Sequence, residues 1–249
     1  MKRFIDAWLE RRSDRAASLE VPLVALPAAF PLADARRVLV FAPHPDDESI
    51  GCGGLLTLLA RAGVPTRVVL VSDGAGAGGL PPGAGEVRQH EFRAALSRLG
   101  VTDFVQLGFP DGELTLGPAL EAAISHEVQA FSAPWIFVPA SIDLHRDHRV
   151  VTEAARRAAM HSAAVAALWH YETWSPLQVS HVLDISEVLE SKLAALAEHR
   201  TALACGNYLA GTEGLARHRA LLLGAPRPGA AAEGYLRTLR PAQFKPAPP

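Results

Sequence analysis

An α/β domain built on a mostly parallel sheet is the fold class this sequence predicts, and three observations predict it. From residue 37 onward, strand-length runs rich in Val, Leu and Phe alternate with stretches of helical period, the pattern of repeated βαβ units. The chain has 249 residues, 49% of them hydrophobic, enough for one such domain with a full core. Two of the predicted strands run into clusters of His and Asp, PHPDDE and DLHRDH. Ligand-binding loops occupy that place at the carboxyl edge of an open parallel sheet.

The elements follow in order. RVLVFAP (37–43) reads as a buried strand, GCGGLLTLLARAG (51–63) as a helix and TRVVLVSDG (66–74) as a second strand. The glycine-rich segment from Gly74 to Gly85 looks superficially like a phosphate loop, but Pro81 and Pro82 deny it the immediate helix start that such a loop needs. It is expected as a flexible loop beside the site. EVRQHEFRAALSRLG (86–100) is helical and stops at Gly100, and FVQLGFP (104–110) is the third strand. LGPALEAAISHEVQAF is a helix and WIFVPA (135–140) the fourth strand, after which DLHRDH leads into another helix. AALWHYETW (166–174) and SHVLDIS (180–186) are two further strands, followed by one long helix from Glu187 to about Ala204. The predicted domain spans 37–223. Residues 1–36 form an N-terminal extension that opens on a helix with Ile5, Trp8 and Leu9 on one face, and 224–249 an Ala/Pro-rich tail whose one apolar patch is GYLRTLRP.

Composition excludes several function classes. A formal net charge of -2 gives no basic face for nucleic acid. Two cysteines, Cys52 and Cys205, make no CxxC and no disulfide framework, so a reducing cytoplasm fits best. Arg11-Arg12 before an apolar stretch mimics an export signal, but Asp14, Glu20, Pro22, Pro27 and Pro31 interrupt it. No apolar run approaches the ~20 residues of a spanning helix. The opening helix and the apolar tail offer surfaces on which a homo-oligomer could close, and nothing in the spacing demands one.

Asp46, Asp47 and Glu48 are three adjacent carboxylates that repel one another, so a positive partner is expected among them. His44 and Asp47, joined by the distant His148, make a nitrogen and oxygen donor set suited to zinc or iron with positions left for water. Asp46 is then the spare acid and the natural general base. The second cluster adds His145 and an acid, Asp147, able to orient an imidazole. Alone, PHPDD reads equally as a rigid turn capping the next helix; a partner cluster on the same sheet edge turns the balance to function. Glu48 either hydrogen-bonds a ligand or a loop amide, the favoured reading, or simply favours the N-terminus of the helix that follows, and Gly51, Gly53 and Gly54 are expected to allow close backbone packing. Cys52 reads as a small buried residue. His90, His126, His161, His170, His181, His199 and His218 read as surface or satisfied core residues. Trp135, Trp169, Tyr171 and Trp174 are a sugar-stacking face or core, and Glu172 faces the site or solvent.

PHPDDE after the first strand, a GG-starting helix, VSDG, LGFPDGEL and a later HxDH together resemble the PIG-L/LmbE-like family of metal-dependent N-deacetylases, from about Arg37 to Arg200. The resemblance implies a Rossmann-like three-layer sandwich with its site at the C-terminal edge of the strands. It implies a metal, usually zinc, and removal of acetyl from an N-acetylated amino sugar of the N-acetylglucosamine type. His44, Asp47 and His148 would hold the metal and Asp46 would be the base. His145, steadied by Asp147, would be the cationic partner of the oxyanion or leaving amine, and Arg88 and Asp111 would contact sugar hydroxyls or order the site. Thr201-Ala202 stands where the family often has Ser-Gln. Zinc would lower the pKa of bound water towards ~7 and polarise the amide carbonyl. Two alternatives share the scaffold: an amide hydrolase for a larger acyl group or a thiol conjugate, and a non-catalytic sugar-binding protein. A dinucleotide-binding oxidoreductase is set aside, because the first strand ends in HPDDE instead of glycines.

Overall fold

β-Branched and large apolar residues buried on both faces make central strands, and the run VLVFA becomes β2 (Val38–Ala42), every residue of which is buried in the computed structural model. The structure describes residues 26–76, 80–225 and 227–238. On one side β2 pairs in parallel with β3 (Thr66–Ser72), and β3 with β4 (Asp103–Phe109). On its other side lies β5 (Trp135–Pro139), parallel to β2 and to β6 (Ala167–Tyr171). With β1 (Ala28–Ala29), β7 (His181–Asp184) and β8 (Ala232–Thr238), the eight-stranded sheet has the order β1-β7-β8-β6-β5-β2-β3-β4.

The alternation of β2 side chains assigns the layers. Val38, Val40 and Ala42 pack with Leu55, Leu56 and Leu59 of α1 (Asp47–Arg61) and with Phe92 and Leu96 of α2 (Ala84–Leu99). Leu39 and Phe41 pack on the opposite face with Leu120, Ile124 and Val128 of α3 (Pro118–Phe131) and Val151 and Ala155 of α4 (Arg146–Met160). This is the expected three-layer α/β architecture. Strand order reverses between β2 and β5, so the loops leaving them diverge and open a crevice at their carboxyl ends. PHPDDE and DLHRDH are those two loops.

Gly51 shows why α1 begins with small residues: a Cβ there would lie 2.1 Å from the ring of Tyr171. The glycine therefore lets the helix seat directly on β6.

Three expectations change. The long helix from Glu187 to Ala204 is two helices, α5 (Leu189–Leu196) and α6 (Arg200–Leu203), and the break turns His199 inward, where it is 1% exposed. The boundary at 223 is wrong, because GYLRT of the tail lies in β8 and runs antiparallel between β6 and β7 inside the sheet, preceded by α7 (Tyr208–Arg219). The boundary at 36 also moves: β1 pairs with β7, and the Phe30 ring lies 4.8 Å from that of Trp169 in the core. The expected opening helix, residues 77–79 of the glycine-rich loop and residues 239–249 lie outside the described residues. Among the described residues no helix is long and apolar enough to cross a membrane.

Candidate metal centre

The β2–α1 turn delivers three acids in three directions. His44 stands just after β2, and Asp47 begins α1, with its carboxylate accepting the His44 backbone N–H at 2.9 Å. His148 lies in the first turn of α4, so the two loops of the crevice meet here. His44 Nδ1 is 3.3 Å from Asp47 Oδ2 and 3.2 Å from His148 Nε2, and the remaining side of the triangle, His148 Nε2 to Asp47 Oδ2, is 3.2 Å. Ligand atoms ~2.0–2.1 Å from a tetrahedral zinc ion stand about 3.3–3.4 Å apart, so this triangle has the dimensions of one face of such a site.

The outer nitrogens of both imidazoles are already assigned. His148 Nδ1 faces Asp143 Oδ1 at 3.3 Å, and His44 Nε2 faces Asp147 Oδ2 at 3.2 Å and Asp111 Oδ1 at 3.1 Å. The far nitrogen of each ring thereby faces a carboxylate, which orients the imidazole so that its near nitrogen, once deprotonated, points a lone pair into the triangle. Two wider trios also bring donor atoms within 4.8 Å, His44 with His145 and His148, and His44 with Asp111 and Asp147. In the second, the other oxygen of Asp111, Oδ2, already lies 3.0 Å from Arg88 Nη1. The donor set of two imidazoles and a carboxylate suits zinc, and iron(II) equally.

Asp46 is held apart from this set. Its backbone has φ 130° and ψ -27°, a conformation that L-residues rarely adopt and that costs about 1–3 kcal/mol. Glu48 and Arg88 clamp it from both sides. Glu48 Oε2 accepts the Asp46 N–H at 3.2 Å, and Arg88 Nη2 donates to the preceding Pro45 carbonyl at 3.1 Å. The same Arg88 Nη2 stands 3.8 Å from Asp46 Oδ2. Burial and the neighbouring Asp47 charge push the Asp46 carboxyl up to about 7, against the pull of His199, Arg88 and His44. Burial alone would depress His148, but Asp47 and Asp143 outweigh it and raise it to about 9. Burial opposes charge on Asp47 too, and His148 and His44 more than reverse that, so its carboxyl is lowered.

His145 caps α4, and its Nδ1 accepts the Asp147 backbone N–H at 3.2 Å. Burial, then His44 and His148, lower its pKa. With Nδ1 used as an acceptor, the neutral ring carries its hydrogen on Nε2. The geometry differs from expectation in two ways. Asp147 meets His145 through its backbone, while its carboxylate takes His44 Nε2 and, at 2.8 Å, the Gly112 N–H. His145 is favoured as a neutral donor, not as a cation.

Every other expected site residue comes to this crevice, and the sequence reading passed over two further groups. Asp143 accepts from the His145 and Trp174 amides and from Thr173 as well as facing His148. It lies inside the quoted DLHRDH, and an acid there was a visible signal. His199 Nε2 pairs with Glu48 Oε1 at 3.0 Å, and no spacing announced it. The aromatics divide: Trp135, Trp169 and Tyr171 are core, while Trp174 is 50% exposed and packs edge-on against Tyr208. Both line the site cavity of about 200 Å³, with His44, Asp46 and Asp111. Glu172 is buried against Arg219.

Residues 39–159 match the family described as PIG-L, GlcNAc-PI de-N-acetylase. A probable N-acetyl-alpha-D-glucosaminyl L-malate deacetylase 2 of Bacillus cereus is 31% identical over 191 residues, 67% of this chain and 83% of the relative. The chain belongs to the PIG-L family of deacetylases. Another PIG-L relative, the diacetylchitobiose deacetylase of Thermococcus kodakarensis, is 27% identical over 198 residues, 69% of this chain and 72% of the relative. The solved N,N'-diacetylchitobiose deacetylase of Pyrococcus horikoshii superposes with a TM-score of 0.74 at 20% identity, covering 84% of this chain and 86% of that one, and shares the PIG-L fold.

Proposed function

We propose that this protein is a metal-dependent hydrolase that removes the acetyl group from an N-acetylated amino sugar of the N-acetylglucosamine type, or from a conjugate of one, with Asp46 as general base. The observation that carries this reading is the 3.2–3.3 Å triangle of His44, Asp47 and His148 beside a strained, uncoordinated Asp46. His44, Asp47 and His148 would hold zinc, which when bound acidifies water and polarises an amide carbonyl. The deacetylase names of the relatives support the acyl group, and the Trp174–Tyr208 pair at the cavity supports a sugar ring.

The balanced reaction converts an acetamide and water into acetate and a protonated amine. Asp46 takes the proton of the attacking water; a carboxyl near 7 suits that task at neutral pH. Arg88 and Glu48 keep it aimed, and Glu48 is itself fixed by His199. His145 presents Nε2–H to the oxygen on which charge gathers. Asp46, holding the proton it received, returns it to the leaving nitrogen, since an amine anion cannot leave unprotonated. Asp111 and Arg88 form a buried pair that orders the sugar side of the cavity.

Acetate release from a panel of N-acetylamino sugars, measured beside metal content, tests this. Asp46→Asn is expected to keep stoichiometric metal and lose about 10²- to 10⁴-fold in kcat. Full activity in that variant would remove Asp46 from the reaction.

A further inference from the structure

The small site cavity opens onto a larger one of about 570 Å³, within the ~300–1,000 Å³ range of small-molecule sites. The two share a rim of Ile50, Trp174, Cys205 and Tyr208. The larger cavity runs between the first turn of α1 and the face of α7 that carries Gly211, Leu215 and Ala216.

Its charged walls are closed upon themselves. Lys192 Nζ lies 2.6 Å from Glu233 Oε1 and donates to the Ile50 carbonyl at 2.7 Å. Glu233 also accepts the Gly54 and Leu55 N–H groups, each at 2.8 Å. Arg219 donates to both oxygens of Glu172 and, at 2.8 Å, to the Leu177 carbonyl. Both cations and both acids in the wall are therefore mated, and Asn207 and Thr212 add only neutral polar groups. A phosphate or carboxylate entering here would find its counter-charges taken and would have to break a buried pair. An uncharged apolar group meets no such barrier and gains from leaving water.

We propose that this cavity receives an uncharged, apolar aglycone, an alkyl or aryl group, carried by the amino sugar whose acetamide faces Asp46. The proposal rests on the reading above that the smaller cavity takes the acetylated sugar. The shared aromatic rim supplies the continuity, with Trp174 and Tyr208 standing where sugar and aglycone would join.

Gly211 allows a clean test, because a Cβ built there meets nothing within 4 Å, so a large side chain enters open space. Calorimetric titration of the full chain would compare hexyl and phenyl N-acetyl-β-D-glucosaminides with free N-acetylglucosamine. The glycosides are expected to bind at least ~10-fold tighter, as a few buried methylenes provide. Gly211→Trp should bring that ratio close to one while circular dichroism stays native, and Gly211→Ala should preserve it. Affinities within twofold of each other in the wild type, no binding by any of them, a ratio that survives Gly211→Trp, or tighter binding of a nucleotide sugar than of the hexyl glycoside would each overturn the proposal. Acetate release separates it from the reading beneath. Tight, Gly211-dependent binding without release would sink the deacetylase assignment and leave the aglycone site standing; release without any affinity gain would sink the aglycone site alone.

Discussion

Two clusters of buried charge flank the first turns of α1, and they solve the same problem in opposite ways. In one, Lys192 and Glu233 are mated at 2.6 Å, and Glu233 spends its remaining acceptor capacity on backbone N–H groups of α1 and on Tyr235. In the other, His44, Asp47 and His148 point three donor atoms at one another, and the outer nitrogen of each imidazole is already engaged by a carboxylate. A closed cluster holds a helix in place. An open one has the geometry to take a cation, and the contrast between the two lies in convergence of donor atoms, since burial of charge is common to both.

The sharpest way to break this contrast is to open the closed cluster. Lys192→Met leaves Glu233, only 4% exposed at its side chain, with an unmatched charge, and is expected to lower unfolding stability by about 3–5 kcal/mol in urea titrations. A loss under ~1 kcal/mol would mean that the pair behaves as a screened surface bridge and that the two clusters are not different in kind.

A smaller effect is expected from loosening the open cluster at its edge. Asp143 fixes the ring of His148 without converging on the triangle, so Asp143→Asn should weaken zinc binding by about 10- to 100-fold in a chelator-competition assay. Unchanged affinity would show that Thr173, 3.1 Å from the same His148 nitrogen, orients the ring unaided.

What was legible in the sequence follows the same division. The open cluster is written in two contiguous loops at the ends of apolar strands, so PHPDDE and DLHRDH could be read together once the parallel sheet placed them on one edge. Even the three consecutive acids resolve locally: Asp47 faces the triangle, Asp46 stands free and Glu48 clamps the turn. The closed cluster was illegible because its partners come from α1, α5 and β8, elements whose pairing is long-range. β8 hides in a Gly- and Ala-rich tail, and its role depends on β6 and β7, from which three helices separate it in the chain. His199 escaped because helical period runs through the break between α5 and α6, and only the fold shows the turn that buries it. β1, two residues long, has no period to detect.

His170 supplies the smallest test and a control for both clusters. It is buried in β6 away from any counter-charge, with Nδ1–H donating to the Pro139 carbonyl at 3.2 Å. Burial lowers its pKa below the ordinary 6.5, so the unfolded chain takes up a proton at this residue before the folded one does. Its contribution to stability is therefore complete above pH 6.5 and is lost as pH falls below that value toward the folded pKa. Stability measured at stepped pH from 7.5 to 5 should decline less steeply in His170→Gln than in the wild type, the comparison cancelling every other titrating group. Parallel slopes would mean that the ring stays solvated enough to be protonated in place. A steeper wild-type slope would establish a third way to bury an ionisable group, neither mated nor convergent with other donors but kept neutral.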